Sequence, residues 1–413
     1  MQLLTNARLL DGTGAPPRPN QAVLIDGNRI VGVGAEASLN PPPNTPRIDL
    51  QGKTLLPGLI DCHVHIWGNP DPDAKPQRQT RIPIKDNAYY KARNLLFALQ
   101  AAQDTLAAGF TTIQDLMAPN DMVFPLRDAI AEGEFVGPRL RASGLCITLT
   151  GGHGTEYPEM AIVADGPQEI LKAVRQQVAA GADVIKYMGG TRAAFSPPFR
   201  GRPGYTTEEM AVGVEEAHRA GLRVHVHAHS SIEGIKNSIR AGVDSIEHGF
   251  PMDDEALEMM AERGTYLCPT LSVNPAALDI IERGRWAFPG SEKQVRYLAE
   301  QAPKMIEGAK RIGVKIALGT DAAMPGVYHG GNARELELLV EYGLTPMDAL
   351  VAATRNGAEN LGMLDDIGTI EEGKLADMIV VDGDPLDDIR VLKDLSCIPL
   401  VIKDGAIVAD RRM

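Results

Sequence analysis

Apolar and polar positions along this chain follow two rhythms. At both ends the apolar runs are short and broken by Gly, Asp and Asn. "AVLIDGNRIVGVG" reads as a hairpin around Asp-Gly-Asn, and "RIDLQGKTLLPG" as extended pieces around a Gly turn. "GTIEEGKLADMIVVDGDPL" and "PLVIKDGAIVAD" repeat that texture near the C-terminus. Neither end is long enough to build a stable core alone, so the pattern predicts one small composite β domain, a β-sandwich, from 1–56 plus 365–413. Over 57–364 the rhythm changes. Eight short apolar strand candidates run from "GLIDCHVHI" through "FTTIQDL", "RLRASGLCIT", "DVIKYMGG", "RVHVHAH", "SIEHGF" and "TYLCPTL" to "KIALGTDA". Helical stretches lie between them. Two, "YYKARNLLFALQAAQDTLAAG" and "PQEILKAVRQQVAAG", space apolar residues by three and four. "TTEEMAVGVEEAHRAG" opens with a capping pattern, and all three stop at Gly.

Strands alternating with helices imply a parallel sheet with right-handed crossovers. Eight is the number that closes a barrel, so the expected fold is α/β, a (β/α)8 TIM barrel carrying the small β domain. A doubly wound open sheet is the runner-up. With 44% hydrophobic and 23% charged residues, the composition is that of a soluble globular protein. A net charge of −13 argues against nucleic acid, which needs a basic face, and against attraction to an anionic membrane. No apolar run has the length of a membrane span. The N-terminus lacks a basic segment followed by a long apolar core, which fits a cytoplasmic protein and equally a secreted one in its mature form. Cys62, Cys146, Cys268 and Cys397 lie far apart and form neither a disulfide framework nor a CxxC site. A homo-oligomer is the general expectation for a soluble chain.

Chemistry in such a barrel sits at the C-terminal strand ends, and the unusual residues of this chain fall there. Strand one ends at His63 and His65, on one face by strand parity. Strand four carries Lys186 inside an apolar run. Strand five ends with His225, His227 and His229, again of equal parity, strand six with His248 and strand eight with Asp321. Buried imidazoles need a partner for each lone pair, and one cation serves several at once. Lys186 has two readings. It pairs with nearby Asp183, or it is a neutral amine that has taken up carbon dioxide, giving a carbamate able to bridge two metals.

The quoted motifs resemble those of the amidohydrolase superfamily: "PGLIDCHVHI" its strand-one HxH, "DVIKYMGG" its carboxylated-lysine strand, "EHG" and "GTDA" its strand-six and strand-eight motifs. The resemblance spans nearly the whole chain. "TGGHG", "VHAHS" and "AGVDSIEHG" resemble the imidazolonepropionase-like branch, with its Xaa-Pro and Xaa-Arg/Lys dipeptidases and carboxypeptidases. Imidazolonepropionase itself lacks the bridging lysine, so Lys186 points to the two-metal peptidase side. The resemblance implies two divalent ions, expected to be zinc, with His63, His65 and Asp321 on one, His227 and His248 on the second, and Lys186 as bridging carbamate. Its parity leaves His225 and His229 open beside His227. It further implies attack on an amide by a hydroxide held between the metals, with Asp321 moving the proton. The expected substrates are dipeptides or N-acyl amino acids, cleaved to release a C-terminal amino acid. Alternatives are a non-peptide amide or carbamate such as an N-acyl-phenylalanine mycotoxin, and cyclic-amide opening or deamination. A non-catalytic assembly protein is disfavoured because all six ligand positions are filled.

Further residues are expected to meet the substrate. His153, in Gly-rich "TGGHG", is read as a carbonyl or oxyanion donor. The long segment 191–206 is read as a lid, with Arg202 and Tyr205 toward a substrate carboxylate. His229 and His329 are expected to line the same pocket, and His218 to be a surface residue.

Overall fold

The structure, a computed structural model, describes residues 1–72, 88–155, 157–189, 203–229, 231–285 and 291–412. Both chain ends meet in one mixed sheet. Its strands are β1 (Gln2–Leu9), β2 (Arg18–Asp26), β3 (Arg29–Gly34), β4 (Arg47–Asp49) and β5 (Thr54–Pro57) from the N-terminal end. The sequence expectation of a hairpin at Asp26-Gly27-Asn28 holds: Asp26 pairs with Arg29, and Gly27 takes φ +58°. Leu4, Leu9, Val23 and Ile25 bury one face with Met378, Val380, Leu400 and Ile402 from the C-terminal end. Leu3, Ala22 and Leu24 cluster separately, as strand alternation requires. The pairings make a single eight-stranded sheet, where two stacked sheets were expected.

Between these ends come β6 (Leu59–Val64), β7 (Phe110–Asp115), β8 (Arg139–Ala142), β9 (Cys146–Thr148), β10 (Ala161–Val163), β11 (Val184–Met188), β12 (Arg223–Ala228), β13 (Ser245–His248) and β14 (Tyr266–Cys268). The C-terminal end supplies β15 (Met378–Val381), β16 (Leu400–Lys403) and β17 (Ala406–Asp410). Two parallel sheets result, β6-β7-β8 and β10-β9-β11-β12-β13-β14. Strands β6, β7, β11 and β13 are buried at every residue, as strands covered on both faces must be. The predicted third strand breaks into β8 and β9 at Gly144, whose φ is +65°. The predicted eighth, "KIALGTDA", makes only isolated bridges, Leu267↔Ile316 and Val64↔Ala322. Cys62 N donates to Leu318 O (2.9 Å), Asp321 N to His63 O (2.8 Å) and Ala317 N to Leu267 O (2.9 Å), so this segment lies between β14 and β6 and joins the two sheets. At the other seam Asp183 N donates to Ala142 O (2.9 Å).

Eleven helices are described among these residues: α1 (Ala88–Ala107), α2 (Asn120–Ala131), α3 (Gly166–Ala180), α4 (Thr207–Arg219), α5 (Ile232–Arg240), α6 (Asp254–Arg263), α7 (Val273–Glu282), α8 (Ser291–Ile312), α9 (Arg334–Glu341), α10 (Pro346–Ala352) and α11 (Arg355–Asn360). The capping pattern read before α4 is real: Thr206 and Glu209 exchange side-chain and backbone bonds. Glycines stop the helices as predicted, with Gly181 at the end of α3 at φ +89°. No helix among the described residues is long and apolar enough to cross a membrane.

Candidate active site

Nearly all the predicted ligands converge at the strand ends. His63 and His65 leave β6 on one face, and Asp321 meets both, 3.5 Å from His63 Nε2 and 3.0 Å from His65 Nε2. Donor atoms of these three lie within 4.8 Å of one another. Asp321 has φ +58°, tolerable for Asp and held from behind by Asp61. Buried Asp61 accepts from His63 N, Thr320 N, Thr320 Oγ1 and Asn332 Nδ2. Gly319 is required where the eighth segment passes His63: a Cβ there would sit 2.8 Å from His63 Cβ and 2.3 Å from Cys268 Sγ.

The three histidines of β12 and its end share a face, and the structure stacks them by height. His225, the lowest, gives Nδ1 to Glu247 Oε1 at 2.9 Å. His227 lies next, with ring centroids 4.4 Å from His248, 4.6 Å from His229 and 4.6 Å from His153. His229 stacks near Phe250. His227 Nδ1 and His248 Nε2 are 2.7 Å apart. The "TGGHG" loop therefore does bring His153 to the cluster.

Glu247 went unread in the sequence. Its carboxylate also meets His63 Nδ1 (2.7 Å) and Ser245 Oγ (2.7 Å), tying β6, β12 and β13 together. Parity puts Glu247 and His248 on opposite faces of β13, yet both reach the cluster. His248 has φ +71°, and that left-handed turn brings its ring round. A Glu inside the buried run "SIEH" was the available signal.

Lys186 is buried with its Nζ unpartnered among the described residues. The alternative partner Asp183 is engaged elsewhere, by Arg127 (3.0 Å) and by Ala142 N (2.9 Å). Burial lowers the Lys186 amine from its usual range. It likewise lowers His63 to about 4 and His229 to about 3, and holds His227 and His248 well below 6.5, so these rings are neutral donors. Burial opposes the Asp321 carboxylate, but His63 and His65 outweigh it and hold it below its ordinary range. His65 Nδ1 and His225 Nε2 are also buried without partners among the described residues. Neutral imidazoles and an anionic carboxylate, with the donor atoms of His63, His65 and Asp321 within 4.8 Å of one another, form a donor set that fits divalent metal.

Other expectations are corrected. Tyr205 is buried in the core, its hydroxyl donating to Ala164 O (2.9 Å) and its ring edge-on to Tyr187, so it does not face a substrate. His329 braces the site from behind, bonding Thr105 Oγ1 (3.0 Å) and His65 O (3.3 Å). Arg202 and residues 191–201 lie outside the described residues. His218 is on the surface, paired with Asp244.

Residues 54–408 match the amidohydrolase family. The chain is 33% identical to ochratoxinase of Aspergillus niger over 430 residues, covering 97% of this chain and 85% of that protein. A solved Xaa-Pro dipeptidase with bound methionine in its active site shares 35% identity at a TM-score of 0.86, over 99% of each chain. A prolidase complexed with N-methylphosphonate-L-proline shares 29% at a TM-score of 0.86, again over 99% of each. The chain belongs to the amidohydrolase family. It is a hydrolase of amide C–N bonds from a metal-dependent family, with the TIM-barrel-like fold its neighbours imply.

Proposed function

We propose that this chain is a binuclear amidohydrolase that releases a C-terminal amino acid from dipeptides or N-acyl amino acids. The observation that carries it is Lys186 Nζ, buried and unpartnered beside β12, where Lys186 and His225 are register neighbours. An amine in that state is suited to carboxylation, and His63, His65 and Asp321 would hold one zinc, His227 and His248 the other. Bound cations would supply an acidified water and polarise the amide carbonyl. Asp321 Oδ1 then takes the proton of the attacking water and returns it to the leaving nitrogen. His153, beside His227, orients the carbonyl oxygen of the substrate. His229, on the outer side of His227, contacts the substrate. The two parallel sheets, joined at both seams, are read as one closed (β/α)8 barrel over 57–364, with 1–56 and 365–413 as its companion domain.

Ochratoxinase, by its name, acts on a toxin, and its 33% identity over 97% of this chain supports a second reading, hydrolysis of a non-peptide or toxin amide. Metal analysis paired with a release assay separates the possibilities. About two zinc per chain, lost with activity in Lys186→Ala, supports the two-metal enzyme, and a panel of dipeptides, N-acyl amino acids and aryl amides names the substrate. One zinc or none, with no release across the panel, sinks it.

A further inference from the structure

The left-handed turn at His248 brings its ring to the cluster, but what fixes that ring lies on other elements. His248 Nδ1 meets Thr270 Oγ1 at 2.6 Å. Thr270 is fully buried and has φ +48°, a conformation a β-branched residue avoids. Such strain persists only where the surroundings impose it. Here Glu335, buried at the start of α9, imposes it. One of its oxygens accepts from Leu271 N (2.6 Å), the other from Ser272 N (2.8 Å) and Ser272 Oγ (2.6 Å). Ser272 makes no capping bond of its own, so the carboxyl group of Glu335 caps α7 from a different helix. Pro269 before Thr270 and the pinned amides after it leave the threonine little freedom.

We propose that Thr270 is a positioning residue for His248, held in place by Glu335. Thr270 Oγ1 accepts the Nδ1 proton, which fixes the tautomer and leaves the Nε2 lone pair facing His227. A ligand histidine whose second nitrogen is anchored in this way is both oriented and made more basic. The inference rests on the reading of His248 as a metal ligand.

The test is equilibrium dialysis of the full chain against zinc buffered by a chelator, with thermal melting alongside. Thr270→Val removes the acceptor at nearly constant shape, Thr270→Ser keeps it, and Thr270→Gly removes it while accepting the left-handed backbone. The expected result is that Val and Gly weaken one of two zinc equivalents about 10- to 100-fold, that Ser stays close to wild type, and that the other equivalent is unchanged. Should Thr270→Val not fold, Thr270→Gly carries the same readout. His248→Ala distinguishes the two failures. If it releases no zinc, His248 is not a ligand and the proposal falls with the two-metal reading. If it releases one equivalent while folded Thr270→Val or Thr270→Gly holds both as tightly as wild type, the positioning role alone is overturned.

Discussion

The two corners of the site are built on opposite electrostatic principles. One holds His63 and His65 around the Asp321 carboxylate, with Glu247 beneath His63. The other is a knot of imidazoles: His153, His229 and His248 all have ring centroids within 4.6 Å of His227. The first corner brings its own negative charge to a cation. The second offers neutral nitrogens, kept neutral because burial and mutual repulsion disfavour protonation. A carbamate on Lys186 would supply the charge this second corner lacks. Charge therefore predicts unequal metal affinity, and the imidazole corner should be the weaker and the more easily perturbed.

The largest expected effect breaks the charged corner. Asp321→Asn keeps the shape but removes the proposed proton carrier, and should lower kcat about 10²- to 10⁴-fold in the release assay. Near-normal turnover would remove Asp321 from the proton path. Next, Glu247→Gln should weaken zinc binding about 10- to 100-fold, because one amide cannot accept from both His63 and His225. His227→Ala should cost one zinc equivalent and spare the other, and equal loss of both would erase the contrast between the corners.

A smaller effect is expected with pH in the metal-free protein. The folded-state values of His63 and His229, about 4 and about 3, lie below the ordinary 6.5. The folded chain thus binds fewer protons than the unfolded one, and the stabilisation present above pH 6.5 is lost as pH falls toward 4 and 3. Each lowered histidine adds to that loss as pH falls through the window. Asp61 and Glu335, pushed up by burial to about 6 and about 8, act in the opposite sense. Burial raises Asp115 and Asp377 too, and lowers His329 with the four cluster histidines, so five lowered histidines stand against four raised carboxyls; the melting temperature should fall between pH 6.5 and 4, and a flat profile would contradict the neutral knot. The smallest effect lies outside both corners. Tyr205→Phe should cost about 1–2 kcal/mol in thermal melting and leave KM unchanged.

Much of the fold was legible because hydrophobic periodicity is local. The hairpin at Gly27, the capping box before α4 and the glycine stops needed only neighbouring residues. Tyr205 was misread for the same reason. A tyrosine after a basic, proline-rich segment looks accessible until its packing on Tyr187 is known.

The sequence by itself determined which residue types stand at the strand ends: two same-face histidines at the end of β6, three along β12 and just past it, a lysine in a buried run and an aspartate after Gly-Thr. Period-two alternation fixes faces, and burial forces such groups to be paired or to bind something. Only the tertiary structure decided heights and partners. It sorted His225 to Glu247 and His227 to His248, and brought the His248 ring round to the cluster through a positive φ. It also set Asp61, Thr270 and Glu335 behind the cluster, from positions far apart in the chain. Those pairings depend on how separate strands and helices register against one another, and no local pattern carries that information.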